Sequence, residues 1–147
     1  MTFRARVPLA TAVALVVAGA AACAPRPGDP EPAPEPADAV TALFDARRDG
    51  SCDAYVATTT TFFRDDVYLG SATCDAFATE AAEYADRGPV RVVIESQVQL
   101  DVDTAEVEAV ETYGAGTSDE YSIVMAYRVQ LDDGTWKVDH VDLTVLR

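Results

Sequence analysis

The stretch YSIVMAYRVQLDDGTWKVDHV, residues 121–141, keeps a two-residue alternation up to a tight turn and loses it soon afterwards. Tyr121, Ile123, Met125, Tyr127, Val129 and Leu131 fall on one face of an extended chain, and Ser122, Ala126, Arg128 and Gln130 on the other. That is the pattern of a strand with one side in a core. Asp132-Asp133-Gly134 supplies the residues of a hairpin turn, so the strand that follows runs antiparallel to the first. Trp136 and Val138 share one face of it, yet Val141, Leu143 and Val145 share the other, and a bulge or bend near Asp139-His140 accounts for the slip. Upstream, the same period places Val90, Val92, Ile94, Val98 and Leu100 on one face of a strand, and Ala105, Val107, Ala109 and Tyr113 on one face of the next. Residues 101–103 connect the two. From Pro89 to the end, the chain predicts a curved four-stranded antiparallel sheet with one face free for other elements.

Before Pro89 the period is near 3.6. Asp38 is placed to cap a helix carrying Val40, Leu43 and Phe44 on one side, with Gly50 to close it. Ser51 is the expected N-cap of a second helix, with Cys52 and Asp53 in its first turn and an apolar stripe of Tyr55, Val56, Thr59, Phe62 and Phe63. The threonines at 58–61 are poor helix formers. Residues 64–73 read as a loop able to hold a short strand at 67–69. A third helix starts near Thr73, carries Phe77, Ala81 and Tyr84 on one face, and stops at Gly88-Pro89.

Three helices followed by an antiparallel meander that closes on Gly134-Thr135-Trp136-Lys137-Val138 give residues 37–147 an α+β architecture. In that element order the segment resembles the nuclear transport factor 2-like superfamily, whose cone-shaped fold is shared with ketosteroid isomerase and cystatin-like domains. The resemblance implies a sheet wrapped around a pocket, with the helices as the other wall. It does not choose a function, because isomerases, dehydratases and pure binding domains share the fold. Catalysis of the ketosteroid isomerase type needs an aspartate base in the cone; no acid of this chain maps onto that position, so no catalytic residue is carried over.

The N-terminal segment predicts an address. Arg4 and Arg6 precede an apolar run, Leu9 to Ala22, that is too short for a spanning helix and ends in Gly19-Ala20-Ala21-Ala22, so residues 1–22 read as an export signal. Cys23 follows at once, an arrangement that resembles a lipobox, with Ala20 where those signals usually carry leucine. The expectation is a lipidated Cys23 anchored to the outer face of a bacterial cell membrane; plain secretion is the alternative. Residues 24–36 contain six prolines and read as an extended stalk. With Arg4 and Arg6 removed, nine basic residues remain against 25 acidic ones, a charge near −16. Such a surface disfavours nucleic acid, which needs a basic face, and leaves the lipid as the expected membrane contact.

CDAY at residues 52–55 returns as CDAF at 74–77. A metal site or a redox pair would bring Cys-x-x-Cys or added histidines, and neither occurs. In an exported domain the remaining expectation is a disulfide between Cys52 and Cys74, stapling two helix starts. No nucleophile elbow, phosphate loop or calcium loop is present, no cofactor is implied, and His140, the lone histidine, is more readily structural than catalytic. The expected pocket lining is Phe62, Phe63, Phe77, Tyr121, Met125, Tyr127, Trp136 and His140. This favours a non-catalytic domain for a small apolar ligand or an envelope protein partner, with an isomerase or dehydratase-like enzyme as the alternative.

Overall fold

The computed structural model describes residues 33–66 and 70–146. The elements are α1 (Pro36–Asp49), α2 (Cys52–Thr58), α3 (Thr61–Asp65), α4 (Cys74–Asp86), β1 (Val90–Gln99), β2 (Thr104–Tyr113), β3 (Tyr121–Asp132) and β4 (Thr135–Leu146). The export signal, Cys23, most of the proline stalk and the short strand expected at 67–69 lie outside the described residues. Among those described, no helix is long and apolar enough to cross a membrane.

α1 begins earlier than expected. Glu35 is its N-cap and Pro36 occupies the first turn, where a missing N–H is harmless. Asp38 sits three positions on and reaches back to accept from the Glu35 N–H at 2.8 Å. Gly50, at φ 62°, closes the helix. The Gln97 side chain, near the end of β1, accepts from the Ala37 N–H and donates to Glu35, tying the start of α1 to the sheet.

The expected second helix is two. The threonine run breaks it at Thr59, which forms a parallel bridge with Val138, and Thr60 caps α3 by accepting from the Phe63 N–H at 3.1 Å. Thr60 also donates to Asp139 at 2.8 Å. β-Branched residues favour this extended excursion over helix, and the break rotates the stripe. Phe63 is fully buried, whereas Phe62 is 61% exposed and Val56 half-exposed, contrary to expectation.

The sheet order is β1-β2-β3-β4, antiparallel throughout. Asp133 and Gly134, both at positive φ, make the tight hairpin turn. Val138 pairs with Val129 and His140 with Arg128, leaving Asp139 as the extra residue: the bulge lies where the slipped alternation places it. A second register step in β4 passes Thr144, and one in β1 passes Glu95. The β1 step overturns the expected face for Val98, which pairs with Glu106 on the side away from the helices; Val98 and Leu100 are both half-exposed. Three bulges in four strands bend the sheet around the helices. On the concave side, Val40, Leu43 and Phe44 of α1 meet Val107, Tyr127, Val129 and Val138 in a single core.

Cys52 and Cys74 form the expected disulfide, with Cα atoms 5.5 Å apart, joining the first turns of α2 and α4. Directly behind it, Tyr55 and Phe77 stack with ring centroids 4.2 Å apart. The aromatic three residues after each cysteine therefore completes one packing unit.

Candidate functional site

A cavity of about 420 Å³ lies between α1, α4 and β1. Its apolar walls are Phe44, Ala85, Pro89, Val90, Val92 and Ile94. The three β1 residues point inward because they precede the Glu95 bulge, and Pro89 brings the chain out of α4 along the same wall. Four polar side chains also line it: Thr41, Asp45, Arg48 and Tyr84. Thr41 donates to the Ala37 carbonyl one helical turn back, and Asp45 pairs with Arg48 at 2.9 Å in solvent. Tyr84 is half-buried, its ring tilted against Phe44 and edge-on to Tyr113. Its hydroxyl has no hydrogen-bond partner among the described residues and is not sealed, since no buried side-chain polar atom there is left unsatisfied.

Next to this cavity the fold buries a carboxylate. Glu111 of β2 is 4% exposed, on the concave face, and its cross-strand neighbour is the cavity residue Val92. Both of its oxygens are taken: Tyr127 donates to Oε1 and Tyr113 to Oε2, each at 2.5 Å. Burial, reinforced by the charge of Glu111, pushes the Tyr127 hydroxyl far above its ordinary range and raises that of Tyr113 as well. The same two causes push Tyr84 up to about 12. These phenols hold their protons and act as donors.

Arg47 of α1 supplies the nearby cation. It bonds Glu80 of α4 at 2.8 Å, and Glu80 in turn accepts from the Ser71 hydroxyl. Burial opposes the guanidinium charge, but the carboxylates of Glu80 and Glu111 act the other way, and Arg47 is held raised. A polar line thus runs from Ser71 through Glu80 and Arg47 towards Tyr127, Glu111 and Tyr113.

The expected pocket lining is placed otherwise. Phe63, Phe77 and Tyr127 are fully buried in the core, Trp136 nearly so, and Met125 packs against the same cluster. These side chains fill the space between β3 and the helices. Phe62 faces solvent. His140 pairs across the sheet with Arg128 on the convex side, where it lies 3.3 Å from Asp142. Tyr121 borders a smaller cavity of about 310 Å³ at the same, C-terminal end of α4, beside Arg87, Gly114 and Asp119. None of the eight lines the larger cavity, because that space opens at the β1 edge, away from the core centred on β3.

The residues absent from that expectation are Glu111, Phe44, Tyr84 and the β1 valines. Glu111 carried a usable signal: it stands in the inward series Ala105, Val107, Ala109, Glu111, Tyr113, and an acid at an inward position demands a partner.

No family model matches the chain, and neither does any curated protein. Solved structures do. A ketosteroid isomerase-like protein from Erwinia carotovora atroseptica SCRI1043 superposes with a TM-score of 0.52 at 17% identity, covering 71% of this chain and 88% of that one. A domain of unknown function with a cystatin-like fold from Nostoc punctiforme PCC 73102 gives 0.52 at 15% identity, covering 73% and 72%. A de novo designed protein with a curved β-sheet gives 0.50 at 18%, covering 74% and 98%. The architecture is therefore the cone-shaped α+β fold that the sequence resembles. At such identities the likeness shows the fold alone.

Proposed function

We propose that this chain is an extracytoplasmic, membrane-anchored binding domain that holds a small, mainly apolar molecule in the cavity between α1, α4 and β1. The observation that carries the proposal is that cavity: about 420 Å³ with six apolar wall residues and few polar groups, the ordinary make-up of a small-molecule site. The buried carboxylate beside tyrosines is the feature an enzyme of this fold would use, and it is the reason to keep an isomerase-like activity as the second reading. Binding is favoured because both Glu111 oxygens already accept from tyrosines and the group is 4% exposed. A carboxylate closed off from solvent, with a donor already on each oxygen, is poorly placed to take a proton from a substrate.

Ethylnaphthalene, a hydrocarbon of suitable size, should bind the full chain with one-to-one stoichiometry by calorimetry. Val92→Trp should abolish this binding while the melting temperature stays within a few degrees, since the cavity has room for the larger ring. Undiminished binding by Val92→Trp would place the ligand elsewhere.

The anchor rests on Cys23 and the proline stalk, both read from sequence. Full-length protein expressed in a bacterium that processes lipoproteins should sediment with membranes, and Cys23→Ala should move it to the soluble or extracellular fraction. Membrane retention of Cys23→Ala would reject the lipid anchor and leave the cavity proposal intact.

A further inference from the structure

Resting on the cavity proposed above as a binding site, we infer that its ligand is a neutral molecule with a hydrogen-bond acceptor oxygen, such as a ketone, ester or amide on an apolar body, and that Tyr84 is the residue that selects for it. Of the polar side chains around the cavity, three are committed. Thr41 donates within its own helix, and Asp45 and Arg48 pair with each other, Arg48 also meeting Asp49 at 3.2 Å. The Tyr84 hydroxyl is the group left without a partner among the described residues.

Its setting makes it a donor. The ring is fixed on two sides by Phe44, with centroids 6.5 Å apart, and by Tyr113 at 6.2 Å, so little side-chain freedom remains to be lost when a ligand arrives. The lone pairs of a phenol oxygen are conjugated with its ring, which makes the group a better donor than acceptor. A carboxylate ligand would lose its water against six apolar wall residues, and the cation that lines the cavity, Arg48, is already held by Asp45 and Asp49. An ammonium ligand finds no free acid at the mouth, because Asp45 is taken by Arg48. A hydrocarbon fits the walls but leaves the hydroxyl unpaired, which costs binding relative to a molecule that satisfies it. At roughly 30 Å³ per water-sized unit, 420 Å³ corresponds to about 14 such units, the scale of a two-ring ligand.

Prodan, a naphthalene ketone whose emission reddens when its carbonyl accepts a hydrogen bond, tests this directly. It is titrated into the full chain in lipid nanodiscs, with Val92→Trp in identical nanodiscs as the blank, alongside ethylnaphthalene and naphthoate. The wild-type chain should bind prodan more tightly than ethylnaphthalene, with red-shifted bound emission, and reject naphthoate. Tyr84→Phe keeps the ring contacts and should weaken prodan roughly fivefold with a blue shift, while leaving ethylnaphthalene unchanged. Equal effects of Tyr84→Phe on ketone and hydrocarbon, or naphthoate bound as tightly as prodan, would overturn the assignment of Tyr84 while leaving the cavity a binding site. Binding of neither neutral probe to the wild-type chain would overturn both.

Discussion

Glu111→Ala should destabilise the domain by about 3–6 kcal/mol, from two hydrogen bonds to a charged acceptor at about 1.5–3 kcal/mol each. The loss is large because nothing replaces the acceptor. Tyr127 is 1% exposed and Tyr113 5%, so water cannot reach the freed hydroxyls without opening the core. The shortened side chain also leaves a void beside Val92, adding a packing loss. Glu111→Gln preserves the shape and one acceptor oxygen and should cost less. Changing Glu111→Leu, Tyr113→Phe and Tyr127→Phe together removes donors and acceptor at once, and should recover most of the stability lost by Glu111→Ala, because an apolar cluster of similar shape leaves no polar group unpaired. Urea denaturation of the four proteins decides the matter. A Glu111→Ala variant within about 1 kcal/mol of wild type would mean that the carboxylate does not hold the two tyrosines in solution.

Reduction of the Cys52–Cys74 bridge should lower stability by about 3 kcal/mol on the chain-entropy model, given a sequence separation of 22 residues. For a domain of this size that is a fall in melting temperature of roughly 10 °C. Because Cys74 is exposed and Cys52 only part-buried, the loss comes mainly from the freer unfolded chain and little from the core. The fold should survive. Thr73 still caps α4 by accepting from the Ala76 N–H, Ser51 still caps α2, and the Tyr55 and Phe77 rings still stack. The Cys52→Ser, Cys74→Ser double variant should melt where reduced wild type melts and should not respond to reductant. Identical melting curves for oxidised and reduced wild type would show that the bridge contributes no net stability.

Bulges illustrate what an alternation pattern can reveal. In β4 the apolar residues change parity across Asp139, from Trp136 and Val138 to Val141 and Leu143, and the register step is found there. In β1 the residues beyond Glu95 offer no such change. Val98 and Leu100 keep the parity of Val92 and Ile94, so the pattern reads as one continuous face, yet the bulge turns Val98 outward beside Glu106. A bulge is visible in sequence when burial resumes on the far side of it, and hidden when the strand beyond is half-exposed. The threonine run is intermediate. Its weakness as helix was plain, but the destination of the broken chain, a bridge from Thr59 to Val138, lies 79 residues away and no local preference specifies it.

Local chemistry carried in the chain was enough for the α+β class, the four antiparallel strands, the cap at Ser51, the start of a helix near Thr73, and the pairing of Cys52 with Cys74, because each depends on near neighbours, on a repeating period or on a count of few candidates. Tertiary structure alone decided which inward side chains fill space and which border it. Phe63, Phe77, Tyr127 and Trp136 have the same apolar, inward character as Phe44, Tyr84, Val90 and Val92, yet the first group closes the core at β3 and the second surrounds a cavity at β1. Glu111 announces itself by parity, but its second donor, Tyr127, arrives only when β2 and β3 align. The difference is physical: burial of a face follows from periodicity, whereas a void or a hydrogen bond between strands depends on the volumes and distances of side chains brought together by the whole fold.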